Sequence, residues 1–163
     1  MKNSIIDPIA IHLRKVQAQI QDNIIITGKE ATGKTRKSIK TIQAENTAKI
    51  EASGHIQNLE TGTPPTGYSK QSVADLWRPP LVDWAKAKPI TPKDDGVKKS
   101  KYTLIERWTR GVAYLIVDKG SRQFQENRFD NVFSKEITKA AKDIPKIAAE
   151  SVKIEVHEIV KQI

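Results

Sequence analysis

The sequence predicts an α+β fold, in which helices pack on a small antiparallel sheet and long loops separate the elements. Three observations lead to this class. Apolar residues recur at helical spacing near both ends of the chain, short alternating segments flank a Ser-Gly pair, and Pro-, Gly- and Lys-rich stretches interrupt the pattern. With 163 residues, the chain suits a single domain over 1–163.

The first predicted element is an amphipathic helix over residues 4–22. Its apolar residues form one stripe: Ile5, Ile6, Ile9, Leu13, Val16 and Ile20. The three isoleucines at 24–26 predict a short extended piece. A second helix is predicted over about 33–44, with Thr32 as its cap and Ile39 and Ile42 toward the interior.

A hairpin is predicted over about 47–60. Residues 47–52 and 55–60 alternate in polarity on either side of Ser53-Gly54, a dipeptide typical of turns. Two strands alone are marginally stable. The hairpin is therefore expected to pack against the long N-terminal helix, the second helix and the C-terminal helices.

Two long loops are predicted in the middle of the chain. Residues 61–79 are dense in Gly and Pro, and Pro79-Pro80 predicts a short helix over about 80–88. Residues 86–101 hold six lysines against two aspartates, which is typical of a mobile, solvated loop. Its lysines are candidate interface residues for an acidic partner surface or for DNA: Lys86, Lys88, Lys93, Lys98, Lys99 and Lys101.

A third helix is predicted over about 101–119, ending before Gly120 as its C-terminal cap. Four apolar residues recur at helical spacing and favour a helix over a strand here: Leu104, Trp108, Val112 and Leu115. Residues 121–130 are expected to be irregular, with two exposed aromatic side chains.

Residues 131–163 predict a C-terminal helical segment that Asp143 and Pro145 break or restart. The type of its last part stays open. Val152 and Val156 fit a helix stripe together with Ile159, whereas the alternation of Val152, Ile154 and Val156 fits a strand.

Composition excludes several classes of site. The chain has no cysteine, so disulfides, zinc fingers and thiol nucleophiles are ruled out. His12, His55 and His157 lie far apart and show no metal-ligand spacing. No segment reaches the roughly 20 apolar residues that span a bilayer, so no membrane contact is expected. The net charge of +9 suits solubility, or contact with nucleic acid or an acidic protein.

One stretch, Gly28–Thr35 (GKEATGKT), fits the nucleotide-binding pattern G-x-x-x-x-G-K-[ST] without a mismatch. Residues 113–118 (AYLIVD) even resemble the strand that ends in a Mg²⁺-binding aspartate. However, a P-loop needs a buried parallel strand before it and further apolar strands with crossover helices. The chain supplies no such set of strands, so the sequence favours an accidental match and leaves a small P-loop NTPase or kinase as an alternative.

A basic nucleic-acid-binding module is the second alternative. Trp77-Arg78 and Arg107-Trp108 come closest to an aromatic-plus-basic pattern. The three tryptophans, Trp77, Trp84 and Trp108, are nevertheless favoured as core or subunit-interface anchors.

Short motifs also follow one another in a particular order. They are the T-G-x-x-x-x-S-I helix start at 32–39, the hairpin ending in E-x-G-T at 60–63, the Pro-rich loop, the V-D-W-A segment at 82–85 before Lys88-Pro89-Ile90, the Gly120-Ser121 step, and the D-x-V-F segment at 130–133. This order resembles the tail-completion family of tailed bacteriophages, which comprises small neck and minor-tail proteins between the head connector and the tail tube. Pro89 stands where the family pattern has Gly. The resemblance covers roughly residues 5–140.

The resemblance implies a non-enzymatic virion structural protein, without a cofactor, that is made in the host cytoplasm and joins head to tail. It implies a ring of identical chains, expected to be a hexamer, docked on the connector or stopper and on the tail terminator or tail-tube proteins, with DNA in the channel as a further contact. Within the motifs, Gly62 would permit a sharp turn and Glu60 would accept backbone or Arg hydrogen bonds. The motif residues expected to have structural roles are Gly33, Ser38, Glu60, Gly62, Thr63 and Trp84.

Overall fold

A computed structural model of the chain describes residues 5–30, 32–66, 70–97 and 99–161; for 70–78, 155, 156 and 158–161 it describes the backbone only. The fold is a mixture of helices and one two-stranded antiparallel sheet, which confirms the α+β class. The elements in chain order are α1 (Ile6–Ile26), α2 (Lys34–Ser38), β1 (Lys40–Ala44), β2 (Thr47–Glu51), α3 (Ile56–Thr61), α4 (Lys70–Ala87), α5 (Leu104–Lys119), α6 (Arg122–Gln125) and α7 (Ser134–Lys161).

The chain forms two compact units. The first unit comprises Met1–Ile56 and Asn131–Ile163, and the second unit comprises Gln57–Asp130. In the first unit, α1 packs against α7 and the sheet; in the second, α4 packs against α5. The single-domain organisation stays a prediction.

Helix α1 supplies the core of the first unit through a stripe of buried residues: Ala10, Leu13, Val16, Ile20 and Ile24. The predicted extended piece at Ile24–Ile26 is wrong, because α1 continues to Ile26. Ile24 follows Ile20 by one helical turn and is only 1% exposed, so burial on the existing stripe outweighs the strand preference of three β-branched residues.

The hairpin lies earlier in the chain than predicted. Lys40 pairs with Glu51 and Ala44 with Thr47, so the turn is at residues 45–46. Of the predicted hairpin over 47–60, only the first strand is correct, because Ser53-Gly54 leads into α3. The predicted helix over 33–44 is also wrong beyond Ser38, where the chain becomes extended.

Polar side chains of α1 fix the start of the sheet. Gln17 accepts a hydrogen bond from the Thr41 backbone N–H at 2.7 Å, and Gln21 donates to the Ile39 carbonyl at 3.2 Å. Ile39 is 1% exposed, whereas Ile42, also expected in the interior, is 38% exposed. The long helix therefore packs on the sheet as predicted and satisfies backbone groups that a two-stranded sheet leaves unpaired.

Helix α7 is continuous through Pro145, so the predicted break at Asp143 and Pro145 is wrong. A proline removes one backbone hydrogen bond. However, α7 is packed within the first unit on both sides of Pro145, because Ala140 is 3% exposed and Ser151 is 8% exposed. The same helix runs to Lys161, which decides the helix-or-strand question in favour of helix.

In the second unit, α4 begins at Lys70, about ten residues before the predicted helix over 80–88, and contains Pro79 and Pro80. The predicted loop over 61–79 is therefore wrong from Lys70 onward, and residues 67–69 lie outside the described residues. Helix α5 is close to its predicted bounds. It begins with a capping box between Thr103 and Glu106 and ends at Gly120.

The buried face of α5 consists of small residues and one valine. Thr109, Ala113 and Val117 are buried, whereas Leu115 is 57% exposed. Ala113 and Ala85 of α4 are both fully buried. Small residues let two helix backbones approach closely. Helix α5 therefore packs on α4 through its small residues, and Leu115 lies outside this contact.

Candidate functional site

Three separated segments meet in the second unit; we call residues 60–63, 120–123 and Asp130 the loop junction. The Thr63 backbone N–H donates to Ser121 Oγ at 2.9 Å, and the Ser121 N–H donates to the Thr63 carbonyl at 2.8 Å. The Asp130 N–H donates to the Glu60 carbonyl at 3.2 Å. These bonds link the E-x-G-T motif to the Gly-Ser step and to the first residue of the D-x-V-F segment.

Two glycines make this close approach possible. Gly62 and Gly120 have φ angles of +79° and +80°, a region that side chains disfavour. A Cβ on Gly62 would lie 2.5 Å from Ser121 Oγ and 2.6 Å from the Phe124 backbone nitrogen. A Cβ on Gly120 would lie 2.8 Å from the Thr63 carbonyl oxygen. The predicted sharp turn at Gly62 is therefore present, although it follows a helix rather than a strand.

Ser121 and Gln123 complete the junction, and the sequence did not single out their side chains. Ser121 Oγ caps α6 by accepting from the Phe124 N–H at 3.4 Å, in addition to its bond with Thr63. The Gln123 side-chain amide donates to the carbonyl oxygens of Leu59 and Glu60. The available signal was a serine directly after a glycine helix end, which is typical of a new helix start.

Glu60 is the buried charged residue of the junction. It is 1% exposed, and a carboxylate at such a site is tolerated only when it is hydrogen-bonded. Its predicted role as an acceptor for backbone or Arg groups stays a prediction. The stretch expected to be irregular over 121–130 contains the four-residue α6 (Arg122–Gln125) and is irregular over 126–130. Phe124 and Phe129 are exposed, 40% and 53%, as predicted.

A groove of about 470 Å³ lies beside the junction in the second unit; we call it the α5 groove. Its lining is mostly apolar, and the residues that line it include Trp84, Val112, Leu115, Ile116, Asn58 and Gln125. Trp84 is 36% exposed. Leu115 is exposed and Val112 and Ile116 are half-buried, so part of the apolar pattern of α5 faces this groove.

The Lys-rich loop over 86–101 is attached to α5 by an ion pair. Arg107 donates to Asp95 through Nε at 2.6 Å and Nη2 at 2.7 Å, and through Nη1 to the Tyr102 carbonyl. The hydrogen bond from Arg107 lowers the pKa of Asp95 from 3.8 to about 2. The predicted mobility of this loop stays a prediction.

The candidate lysines of this loop differ in exposure. Lys86, Lys93 and Lys99 are exposed, and Lys88 is half-buried. Lys101 is exposed and its Nζ lies 5.0 Å from the ring centroid of Tyr102. Lys98 lies outside the described residues, as does the side chain of Trp77.

The Walker-like stretch lacks the geometry of a P-loop in the part that the structure describes, which is all of it except Ala31. Residues 24–26, before the first glycine, form the last turn of α1 rather than a buried strand. The following helix, α2, has five residues, and its N-terminal cap is Gly33 (φ +73°) rather than the predicted Thr32. Asp118 is an exposed residue of the last turn of α5.

Two further motif positions have clear local roles. Ser38 Oγ donates to the Thr35 carbonyl at 2.7 Å and accepts from the Ser53 N–H at 3.1 Å, so it joins the end of α2 to the segment after β2. Pro89 lies two residues after the end of α4. The Ile90 N–H donates to the Ala85 carbonyl across it, a helix ending that normally takes glycine at this position.

No protein-family model, curated protein or solved structure matches the chain. Among the described residues, no helix is long and apolar enough to cross a membrane. Over the same part of the chain, no group of three His, Cys, Asp or Glu side chains is arranged to hold a metal ion.

Proposed function

We propose that this chain is a non-enzymatic structural protein of a tailed bacteriophage neck, where a ring of its copies joins the head connector to the tail. The loop junction carries the proposal. Glu60–Thr63, Gly120-Ser121 and Asp130 belong to three separate motifs of the resemblance, and they are hydrogen-bonded to one another. If the motif likeness were accidental, there would be no reason to expect these three motifs to be hydrogen-bonded to one another.

The α5 groove supports a role in assembly. Within the groove, Leu115 is 57% exposed and Trp84 is 36% exposed, although apolar side chains of this size gain about 1.5–3 kcal/mol on full burial. A ring needs heterologous contacts, in which one surface of each copy meets a different surface of the next. A mostly apolar surface groove is the kind of surface that such contacts use.

Sedimentation velocity and negative-stain microscopy test the proposal with the purified chain, alone and mixed with the head connector and tail terminator proteins of the same phage. We expect a monomer or weak oligomer alone and closed rings in the mixture. A chain that joins neither partner under any mixing order contradicts the proposal.

A matched pair of variants connects that test to the groove. Leu115→Glu places a charge in the α5 groove and should prevent ring formation while leaving the circular dichroism spectrum unchanged. Val97→Glu introduces the same charge at a loop residue that is 49% exposed, and should assemble normally. Equal loss of rings in both variants would contradict the assignment of the groove as the assembly surface.

A further inference from the structure

Helix α7 carries a stripe of lysines that the motifs do not explain. Lys135, Lys139, Lys142 and Lys146 are all exposed. At about 100° per residue, the four positions fall within about 60° of the helix circumference. At 1.5 Å per residue they extend over about 17 Å along the axis. Lys153, also exposed, continues the same line. We call this surface the lysine face of α7.

The lysine face points away from the core of the first unit. Ala140 and Ser151, which are buried, occupy the opposite side of the helix, about 140–160° round from Lys135. Of the acidic residues between the lysines, Asp143 lies toward α1, with its Oδ2 4.0 Å from His12 Nε2. In the described part of the chain, none of the four lysines has a carboxylate within 4.0 Å.

Polar groups adjoin the first lysines. A shallow concave surface of about 450 Å³ is lined by Lys135, Lys139, Lys142, Asn131, Ser134 and Thr138. Hydroxyl and amide side chains next to lysines are the usual ligands of phosphate oxygens in protein–DNA contacts. Four or five evenly spaced cations with such neighbours suit a linear polyanion better than a single anion.

We propose that the lysine face of α7 binds the phosphate backbone of double-stranded DNA without regard to sequence. The charge is complementary, and the face is straight over a length comparable to several phosphates, which are 3.4 Å apart along each strand in the direction of the helix axis. The face offers lysine, serine and threonine rather than the aromatic rings on which single strands stack. The resemblance implied DNA only as a further contact in the channel, with the lysines of 86–101 as candidates; the assignment of the contact to α7 is new and does not require ring formation.

Fluorescence anisotropy with a labelled 30-base-pair duplex, from 50 to 200 mM salt, tests the contact. The face variant replaces Lys135, Lys139, Lys142 and Lys146 by Gln, which has a helix propensity close to that of lysine. The scattered variant replaces four exposed lysines elsewhere by Gln: Lys15, Lys37, Lys40 and Lys119. Each variant loses four positive charges from the total of +9, so the two are matched in net charge.

We expect the face variant to bind the duplex at least tenfold more weakly at 50 mM salt. The slope of log K against log salt should be smaller by about 3.6, because each phosphate contact contributes about 0.9. The scattered variant should keep nearly all of that slope, and replacement of the four face lysines by Arg should keep the affinity.

Three results would overturn the proposal. The wild-type chain does not bind the duplex at 50 mM salt, or the scattered variant weakens binding as much as the face variant does. The third is that a single strand or poly-glutamate competes for the face as well as the duplex, since the surface would then serve single strands or an acidic protein.

Discussion

The Walker-like stretch and the loop junction both place glycines at positive φ, but their surroundings differ. Gly28 has a φ of +66° and no atom within 4 Å of the position that a Cβ would take. Gly62 has a φ of +79°, and three atoms lie within 3.1 Å of that position. The stretch that fits a known pattern without a mismatch is thus the less constrained of the two. The quality of a letter match does not measure how strongly the fold requires its residues.

The largest expected effect is that of Gly62→Ala. The new methyl group would meet the Phe124 backbone nitrogen at 2.6 Å while the residue is held at positive φ, so we expect a loss of about 3 kcal/mol or more in the free energy of unfolding. Urea denaturation measures it. Gly54→Ala is the control, because Gly54 has open space and ordinary φ, and should change stability by less than about 1 kcal/mol. Similar losses in both variants would show that crowding at the junction has no energetic weight.

Ser121→Ala should have the next largest effect. It removes the acceptor for the Thr63 and Phe124 backbone N–H groups, which should cost about 1–3 kcal/mol of unfolding free energy. Ser100→Ala is the matched control, since Ser100 Oγ accepts one N–H, that of Tyr102, on an exposed loop. If the two serines cost the same in thermal or urea unfolding, the junction is not a stabilising cluster.

Gly28→Ala isolates backbone strain without crowding. Positive φ alone costs a non-glycine residue about 1–2 kcal/mol, so the variant should lose that amount, and clearly less than Gly62→Ala. Gly28→Asn should lose less still, because asparagine tolerates this backbone region better than other residues do. The measurement is the midpoint of urea unfolding of each of the three variants. A lower midpoint for Gly28→Ala than for Gly62→Ala would contradict the comparison.

The smallest effect is expected for Lys34→Ala. Lys34 is exposed at the start of the five-residue α2, so stability should change by less than about 0.5 kcal/mol. Calorimetric titration with ATP and Mg²⁺ should give no binding heat for the wild-type chain. Binding by the wild type that Lys34→Ala abolishes would instead establish the nucleotide alternative.

Sequence patterns predicted the secondary structure correctly where no second pattern competed with the first. The bounds of α5 follow from its helical apolar spacing and Gly120, and the structure changes its start by only three residues. At residues 24–26 two signals competed, and tertiary burial of Ile24 decided for helix. The hairpin turn lies at 45–46 rather than at Ser53-Gly54. Packing on α1, where Gln17 accepts a hydrogen bond from the Thr41 N–H, favours an extended chain from Lys40 onward, and turn rules do not include such tertiary contacts.

The site was less predictable than the fold. Gly62 and Thr63 were found through a motif order, but the partner that joins them, Ser121 Oγ, lies 58 residues from Thr63 in sequence, and spacing rules do not reach so far. The apolar spacing of α5 predicted a helix, but periodicity shows that a helix has an apolar face without showing what covers it. In this helix, the small residues Thr109 and Ala113 do the packing.

The Arg107–Asp95 pair determines how the attachment of the Lys-rich loop to α5 depends on pH. The folded pKa of Asp95, about 2, lies below its ordinary value of 3.8. The pair therefore stabilises the attached loop fully above about pH 4, and this contribution disappears as the pH falls toward 2. Between pH 5 and 8 the attachment is insensitive to protons. In that range, dissolved ions rather than acidity regulate how the loop presents its positive charge, since ionic strength screens exposed ammonium groups.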